Sequence, residues 1–464
     1  MFQKILIANR GEIACRIIRA CRQLGIATIA VHSDADADAL HVELADIAVP
    51  IGAAAASQSY LDADKVLQAA LEHNAQAVHP GYGFLSENAA FARAVLAAGM
   101  AWIGPDPQTI TDMGDKARAR RIAVDSGVPV LPGSSSLAPG APASWHVEAA
   151  RVGYPLLVKA VGGGGGIGMK RVDGADALQA TIESAQAMAQ KAFGQSDVYL
   201  ERYVARARHI EIQVFGYGNG RAVHLFEREC SVQRRFQKIV EECPAPHLPA
   251  GVRAAMADAA VALACSQRYA GAGTVEFIVD AATHEFFFLE MNTRIQVEHA
   301  VTEAFTGWDL VQAQIRLAVG ELPTVTQDDI RGSGAAIECR LYAENPRRNF
   351  MPSPGLLKRL VLPAASTQLR IDCGVRQGDA VTPYYDPMIA KLISHGPDRE
   401  TAIAVMRLAL QALEIEGIQH NGAFLQALLD HPAFVAGEMD TGFVERERGA
   451  VLEAMEARAA QATS

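Results

Sequence analysis

Apolar runs and helix-like patterns alternate along the first hundred residues. Residues 4–8 (KILIA) have the pattern of a buried strand, and after a polar turn at 9–12 the apolar residues recur at helical spacing until Gly25. Further strand patterns follow at ATIAVHSDAD, AQAVHPGYG and AWIGPD. This alternation predicts an open parallel sheet covered by helices. A dinucleotide site would need GxGxxG in the first turn, and that turn lacks it.

The pattern becomes richer in strands beyond a loop-like stretch at 132–144. Alternating or continuous apolar runs predict strands at YPLLVKAV, IGMKRV, DVYLERYV, HIEIQVFGYG, AVHLFERECSVQRR, GTVEFIVD and EFFFLEMN. Helices are predicted over 175–192 and 252–266. A second change at 321–334 precedes more short strands, a helix over 399–413 and an Ala/Glu-rich tail expected to be a frayed helix. The chain is therefore expected to be α/β, with an α+β body after the parallel sheet.

Composition narrows the class of protein. A chain of 464 residues is expected to form two or three domains. The net charge of -10 argues against nucleic-acid binding. Seven cysteines without a CxxC pair predict a reducing compartment, with neither a disulfide framework nor a zinc site. Since the sequence shows neither a membrane-length apolar run nor a signal peptide, we expect a cytoplasmic enzyme without membrane or nucleic-acid partners.

Five consecutive glycines at 162–166 interrupt the stretch VKAVGGGGGIGMKR. The run lacks the Gly-Lys-Ser/Thr ending of a P-loop. It contains GxGxxG at Gly163, Gly165 and Gly168, but the following residues alternate like a strand instead of opening a helix. A β-hairpin with a glycine tip fits better, since its bare backbone N–H groups can surround phosphate oxygens. The alternative is a surface hairpin without a ligand.

A pair of acidic residues lies in the segment TVEFIVDAATHEFFFLEMN. If AATHE is a five-residue hairpin loop, Asp280 pairs with Phe286 and Glu276 lies opposite Glu290. Like charges facing each other destabilise a sheet, so this pair calls for a cation. Oxygen ligands from Glu276, Glu290 and Asn292 predict Mg²⁺ or Mn²⁺. The alternative is a solvent-exposed charged face, which the apolar neighbours make less favourable.

Polar residues continue at every second position beyond this hairpin, at Glu290, Asn292, Arg294, Gln296 and Glu298. A straight strand would spread them over roughly 26 Å at ~3.3 Å per residue. We therefore expect a bend near 293–295 if one site uses them all. Arg294 and Gln296 could then hold a small planar oxyanion while Glu298 takes a proton from it.

At the level of whole motifs, the chain resembles the biotin carboxylases of the ATP-grasp fold. The matching stretches are ILIANRGEIACRIIRA, HPGYGFLSEN, GDKARAR, VKAVGGGGGIGM, QRRFQKIVEECPAP, EMNTRIQVEH, AIECRLYAE and TPYYDPMIAKL. The resemblance implies a Rossmann-like domain at 1–113 and an ATP-grasp domain at 114–323, whose glycine-hairpin lid covers about 131–203. It further implies a mixed α/β domain at 335–446 and a tail at 447–464.

The resemblance implies an ADP-forming ligase reaction. ATP phosphorylates bicarbonate, and the resulting carboxyphosphate supplies the CO₂ that the ureido nitrogen of biotin captures. The implied nucleotide residues are Lys116, Lys159, Gly163, Gly164, Gly165, Gly166, Met169, Glu201, Arg202, Val204, His209, Gln233, Glu276, Ile278, Leu289 and Glu290. Glu276, Glu290 and Asn292 match the metal ligands, in agreement with the hairpin argument.

The same resemblance implies the sites for the other two substrates. The implied bicarbonate residues are Lys238, Arg294, Gln296, the Val297 backbone and Glu298, with Glu298 as the general base. Tyr82 and Arg340 match the biotin side, where Arg340 stabilises the biotin enolate. Glu298, Arg340, Lys238 and Arg294 are thus the expected catalytic residues.

The acceptor of the carboxyl group is less well defined by the sequence. Phe236 stands where many relatives have His, Ile167 replaces a usually basic lid residue as in urea-carboxylase-like lids, and Ala300 replaces a common Pro. We expect a component of acetyl-CoA carboxylase, with another acyl-CoA or a urea-type carboxylase as the alternative. The expected partners are a separate biotin carboxyl carrier protein, carboxyltransferase subunits and a second copy in a homodimer.

Two other functions remain open from the residues alone. A different ATP-grasp ligase, related to carbamoyl-phosphate synthetase or to amino-acid ligases, would share Lys116, Lys159 and the metal pair. It would not require Arg340 or the RIQVEH segment. A non-catalytic scaffold subunit would be supported only by the changes at Ile167 and Phe236.

Overall fold

The computed structural model describes residues 1–161, 169–193 and 196–463. The N-terminal strands are β1 (Lys4–Ile7), β2 (Ala27–Ser33), β3 (Ile47–Gly52), β4 (Ala77–His79) and β5 (Ala101–Trp102). They form a parallel sheet of order β3-β2-β1-β4-β5. The accompanying helices are α1 (Gly11–Gln23), α2 (Leu40–Leu44), α3 (Ala63–Glu72), α4 (Ala89–Ala97) and α5 (Pro107–Gly114). Ile5 and Ile7 pack into one core cluster and Leu6 into another, because helices cover both faces. The predicted parallel sheet is confirmed.

The next elements are α6 (Lys116–Asp125), α7 (Pro142–Val152), β6 (Leu156–Ala160), β7 (Lys170–Val172), α8 (Leu178–Phe193) and β8 (Val198–Arg202). The three strands form a smaller antiparallel sheet of order β7-β6-β8. The pairing of β6 with β7, with Val158 opposite Lys170, gives the predicted hairpin strands. The tip of this hairpin, with Gly163, Gly164, Gly165, Gly166 and Ile167, lies outside the described residues. The helix predicted at 175–192 begins later, since a short 3₁₀ turn precedes α8.

The central region supplies long antiparallel strands and three helices. They are β9 (Ala207–Tyr217), β10 (Ala222–Arg234), β11 (Gln237–Cys243), α9 (Ala250–Ser266), β12 (Ala270–Asp280), β13 (Phe286–Asn292), α10 (His299–Thr306) and α11 (Leu310–Ala318). The sequence analysis did not predict β11, whose adjacent glutamates interrupt the apolar pattern.

The C-terminal region adds short strands and four helices. The strands are β14 (Ala335–Tyr342), β15 (Glu344–Asn345), β16 (Met351–Pro352), β17 (Gly355–Leu356), β18 (Arg359–Val361), β19 (Leu369–Cys373), β20 (Ala380–Val381), β21 (Met388–Gly396) and β22 (Glu414–Glu416). The helices are α12 (Arg399–Gln411), α13 (Gly422–Leu429), α14 (Pro432–Val435) and α15 (Phe443–Thr463). Helix α15 continues through the segment expected as a frayed tail from 447, and Val451 is buried in the C-terminal core. That expected boundary therefore falls inside a packed helix.

One sheet contains strands from both the central and the C-terminal region and joins the two. Within the described residues its strand order is β13-β12-β9-β10-β11-β14-β21-β19. The junction is the antiparallel pairing of β11 with β14, in which Val240 lies opposite Cys339. Because the two regions share this sheet, residues of β14 lie beside residues of β11 and can enter the same site.

The hairpin of β12 and β13 differs from the predicted register by one residue. Val279, and not Asp280, lies opposite Phe286, since the Asp280 N–H donates to the Glu285 carbonyl at 2.8 Å. A β-bulge that leaves Leu289 without an opposite residue then restores the expected facing pair of Glu276 and Glu290. The predicted pair is confirmed, but the loop geometry that led to it was wrong.

None of the helices formed by residues 1–161, 169–193 and 196–463 is long and apolar enough to cross a bilayer. All seven cysteines carry free thiols, as the sequence analysis expected.

Candidate active site

A cleft of about 1370 Å³ opens between the N-terminal, central and C-terminal regions. Every candidate site residue outside 163–166 lines it. These residues are Tyr82, Lys116, Lys159, Met169, Glu201, Arg202, Val204, His209, Gln233, Lys238, Glu276, Ile278, Leu289, Glu290, Asn292, Arg294, Gln296, Val297, Glu298 and Arg340. Residues far apart in the sequence thus meet at one surface, as the sequence analysis required.

The facing carboxylates of β12 and β13 form the acidic side of the cleft. Burial and the negative charge of Glu276 raise the pKa of Glu290. Glu276 accepts hydrogen bonds at 2.8 Å from the side-chain amides of Asn292 and Gln296. The Asn292 side-chain oxygen accepts from Arg294 at 3.0 Å. Two facing carboxylates and an amide oxygen fit a hard divalent cation, which prefers oxygen ligands.

Lys238 on β11 lies at the centre of the charged groups. Its Nζ donates to Glu211 at 2.6 Å, to Glu276 at 3.1 Å and to Glu298 at 2.5 Å. Burial lowers the pKa of Lys238, but the three carboxylates outweigh burial and hold it well above its ordinary value. The ammonium group therefore stays charged.

Glu298 reaches this cluster because the chain turns after β13. The strand ends at Asn292, bends at 293–294 and turns again before α10, so the predicted bend is confirmed. Besides its contact with Lys238, Glu298 accepts a hydrogen bond from Arg340 Nη2 at 3.0 Å. Burial raises the pKa of Glu298, but Lys238 and Arg340 outweigh burial and hold it far below its ordinary value. Glu298 is therefore ionised at neutral pH.

The nucleotide candidates occupy the other end of the cleft. Lys159 on β6 forms an ion pair with Glu201 on β8, and Lys116 is the exposed first residue of α6. His209 Nε2 lies 2.8 Å from Glu276 Oε2. Burial lowers the pKa of His209, but Glu276 outweighs burial and raises it. The positive charge of Lys159 and the acidic pair thus line the same cavity, as phosphate and metal binding requires.

Comparisons with known proteins agree with this arrangement. Residues 1–110 match the family model for the biotin carboxylase N-terminal domain, and residues 338–446 match that for the biotin carboxylase C-terminal domain. Residues 115–324 match the ATP-binding domain of the carbamoyl-phosphate synthase L chain. Biotin carboxylase 1 of Bacillus subtilis is 47% identical over 445 residues, which cover 96% of this chain and 98% of that protein.

This chain belongs to the biotin carboxylase family. The methylcrotonoyl-CoA carboxylase subunit alpha of Dictyostelium discoideum is 49% identical over 97% of the chain, which spans 64% of that longer protein. Among solved structures, the biotin carboxylase domain dimer of Hydrogenobacter thermophilus 2-oxoglutarate carboxylase, with MgADP and bicarbonate, has a TM-score of 0.89. It is 43% identical to this chain, and the match covers 97% of this chain and 99% of that one. The expected fold and enzyme class are confirmed.

A fully buried arginine that the sequence analysis missed lies beneath the candidate site and donates hydrogen bonds to several of the residues around it. Arg228 on β10 uses all five of its N–H donors. It donates to Glu211 at 2.6 Å, Gln213 at 2.6 Å, Thr302 at 3.0 Å, Thr274 at 3.1 Å and Gln296 at 2.8 Å. Arg228 therefore holds both the partner of Lys238 and a candidate bicarbonate ligand. No motif marks it, because it lies within an alternating strand of charged and apolar residues.

Lys391 on β21 is a second residue that the sequence analysis missed. Its Nζ is completely buried, donates to the Val297 carbonyl at 2.7 Å and lies 3.4 Å from Glu12 Oε1. The other Glu12 oxygen accepts the Tyr82 hydroxyl hydrogen at 2.8 Å. Lys391 therefore connects the turn before Glu298 with the Tyr82 side of the cleft.

Phe236 lies at the turn between β10 and β11, on the cleft wall. Its side chain is 72% exposed, and both Arg235 and Phe236 have positive φ, at 47° and 65°. A two-residue turn with both central residues left-handed matches the twist of a hairpin, although glycine or asparagine usually occupies it. The departure from the family pattern at 236 therefore places an exposed aromatic ring at the cleft.

Proposed function

We propose that this chain uses ATP and bicarbonate to carboxylate biotin held on a carrier protein. The observation that carries the proposal is the position of the Glu298 carboxylate. It lies between two cations, Lys238 at 2.5 Å and Arg340 at 3.0 Å, in the cleft that also holds the acidic pair and Lys159. A base between two oxyanion-binding cations, beside a phosphate site, suits the activation of bicarbonate by ATP.

In this proposal Lys116, Lys159 and the N–H groups of Gly163–166 hold the ATP phosphates. Lys159 exchanges its ion pair with Glu201 for a phosphate oxygen, and the segment 202–204 meets the adenine. Glu276 and Glu290, with the Asn292 oxygen, would hold Mg²⁺ or Mn²⁺, which neutralises charge on the transferring phosphoryl group when bound. The Asn292 oxygen has two lone pairs, so it could keep its hydrogen bond from Arg294 in that role.

Bicarbonate would bind between Arg294, Gln296, the Val297 N–H and Lys238. The carboxylate of Glu298 would then accept its proton. Glu298 is a weak base while two cations hold it, since a low pKa reduces the driving force for proton transfer. Bicarbonate adds a further anion beside Lys238, which already donates to Glu211, Glu276 and Glu298; this weakens the hold of Lys238 on Glu298 and raises the basicity of Glu298. The substrate therefore activates its own base.

Biotin would bind on the Tyr82 side, with Arg340 stabilising the negative charge that develops on the ureido oxygen. Arg340 carries a fixed positive charge within a buried site, where electrostatic stabilisation is strong. For the final acceptor we propose acetyl-CoA, with other acyl-CoA molecules or urea as the alternatives. The α subunits of methylcrotonoyl-CoA and propionyl-CoA carboxylases among the relatives support the acyl-CoA alternative. A biotin carrier protein, carboxyltransferase subunits and a second copy of the chain are the proposed partners.

The three candidate functions differ in what stimulates ADP release. We expect bicarbonate-dependent ATP hydrolysis that free biotin stimulates, together with formation of carboxybiotin. Stimulation by an amino acid or ammonia instead of biotin would support another ATP-grasp ligase. ATP binding without any stimulated turnover would support the scaffold and contradict the proposal.

Replacing Glu290 by Gln should raise the Mg²⁺ concentration that half-saturates turnover by at least about tenfold. Even residues that only support a metal ligand typically change affinity by about 10–100-fold. Titration of Mg²⁺ at a fixed concentration of ATP measures this change. Glu285→Gln on the same hairpin, with an exposed carboxylate, is the matched control and should behave as the wild type. An unchanged Mg²⁺ dependence in Glu290→Gln would remove Glu290 from the ligand set.

Replacing Lys391 by Met should raise the KM for bicarbonate about tenfold, whereas the KM for ATP should stay within about twofold. Lys391 holds the Val297 carbonyl, and a hydrogen bond from a charged donor contributes about 1.5–3 kcal/mol. Steady-state kinetics with each substrate varied in turn separates the two effects. Lys65→Met, at an exposed surface ion pair, is the control. Equal changes in both KM values would indicate general damage and contradict a specific role in positioning Val297.

A further inference from the structure

Two buried glutamates behind Arg340 have no part in the proposed reaction. Glu241 on β11 lies directly opposite Glu338 on β14, and both side chains are completely buried. Among the described residues, none of their four carboxylate oxygens has a hydrogen-bond partner of good geometry. A buried carboxylate without hydrogen bonds is costly, and two facing ones cannot both stay charged without compensation.

Arg340 lies on the same face of the sheet as this pair. Its Nη2 is 2.6 Å from Glu241 Oε1 and 3.0 Å from Glu298 Oε2, so one nitrogen lies between two carboxylates. The other groups that face the pair are Lys238 on β11, Cys230 on β10 and Lys391 on β21. Lys391 lies opposite Arg340 in the pairing of β14 with β21.

Glu241 and Glu338 differ in the cations that lie near them. Burial raises the pKa of Glu241 to about 7, since Arg340 and Lys238 oppose burial only in part. Burial also raises the pKa of Glu338 well above its ordinary value. The opposing influence of Lys391 is insufficient there, and Glu241 raises the pKa further. Glu338 is therefore the better place for a proton, and Glu241 is the group that titrates near neutral pH.

We propose that Glu338 stays protonated opposite Glu241, and that the charge on Glu241 sets how firmly Arg340 is held away from its substrate. Ionised Glu241 competes with Glu298 and with the biotin oxyanion for the same guanidinium nitrogen. When Glu241 is neutral, the guanidinium nitrogen of Arg340 is available to Glu298 and to the biotin oxyanion. Glu241 and Glu338 are thus positioning residues that act through Arg340, and the inference rests on the proposed role of Arg340 toward biotin.

The pH dependence of the KM for free biotin tests this inference. In the wild type, KM should rise with pH as Glu241 loses its proton, by up to about tenfold per pH unit above the midpoint. Glu241→Gln carries no titrating group, so the KM should stay flat between about pH 6 and pH 8. Glu338→Gln should keep the rise with its midpoint nearly unchanged, because the amide replaces a neutral acid.

Glu242→Gln is the matched control for these variants. Glu242 is the next residue on β11 and is also buried. Its carboxylate pairs with Arg399 at a distance of 2.6 Å and does not contact Arg340. We expect it to retain the wild-type pH dependence of KM even if its stability falls. A flat KM in the wild type, or the same rise in Glu241→Gln, would overturn the role of Glu241. A downward shift of the midpoint by one unit or more in Glu338→Gln would show that Glu338 is normally ionised.

Infrared spectroscopy of the free protein tests the proton without any turnover. At about pH 9, where Glu241 has lost its proton, the wild type should show the C=O stretch of a buried protonated carboxyl group, and Glu338→Gln should lose it. Retention of the complete band in Glu338→Gln would overturn the assignment of the proton. If the wild type showed this band but carboxylated no biotin, the proposed function would fail while the proton assignment stood.

Discussion

Replacing Glu298 by Gln should reduce carboxylation of biotin by at least about 10²-fold, because general base catalysis typically contributes about 10²–10⁴-fold. Gln has the size of Glu, and its one amide oxygen can accept a hydrogen bond from Lys238 or from Arg340, but Gln carries no charge and cannot accept the proton of bicarbonate. ATP should bind nearly as well as to the wild type, since Glu298 lies among the proposed bicarbonate residues and not among the proposed nucleotide residues. Carboxybiotin formation and equilibrium binding of ATP together measure these two expectations.

The control for this variant should change an equally buried glutamate away from the cleft. Glu344→Gln qualifies, because Glu344 is almost fully buried and pairs with Arg234 outside the cleft lining. Its turnover should stay close to that of the wild type if the protein is folded, because neither Glu344 nor Arg234 lines the cleft. Wild-type turnover in Glu298→Gln would exclude Glu298 as the base.

The acidic hairpin shows how far sequence patterns determine a site. The facing of Glu276 and Glu290 was predicted from an assumed AATHE loop, and the pair is confirmed although the register next to the loop differs by one residue. The pattern could not predict the bulge at Leu289, because an inserted residue changes only the backbone hydrogen bonding and leaves the composition of the strand unchanged. Since a one-residue shift normally exchanges the two faces of a strand, the loop error and the bulge compensated each other.

The surroundings of Lys238 were beyond any argument from local sequence. Its partners Glu211, Glu276 and Glu298 come from β9, β12 and the turn before α10, and they meet only because these elements share one sheet or lie against it. Strand β11 itself was missed. The resemblance to biotin carboxylases identified Lys238, but it gave no indication of the buried charges at Arg228 and Glu211, which depend on contacts between distant strands.

Replacing Arg228 by Met should lower the free energy of unfolding by about 3–5 kcal/mol, the usual effect of removing one partner from a buried ion pair. Arg228 and Glu211 are both completely buried and their charged groups are 2.6 Å apart. Without the guanidinium, Glu211 keeps Lys238 as its hydrogen-bonded cation, with His209 Nε2 3.9 Å away, and Gln213, Thr274 and Thr302 lose their donor. The midpoint of urea unfolding measures this loss.

Two further variants distinguish the effect of an uncompensated buried charge on stability from the effect of removing any arginine. Arg221→Met, at the exposed turn between β9 and β10, should change stability by no more than about 0.5 kcal/mol. Arg228→Met combined with Glu211→Gln should recover part of the loss, because the second change removes the uncompensated charge. If Arg228→Met unfolded at the wild-type midpoint, the arginine network would contribute nothing to stability. If the double variant were less stable than Arg228→Met, its contribution would come from hydrogen bonds and packing and not from the charge of Glu211.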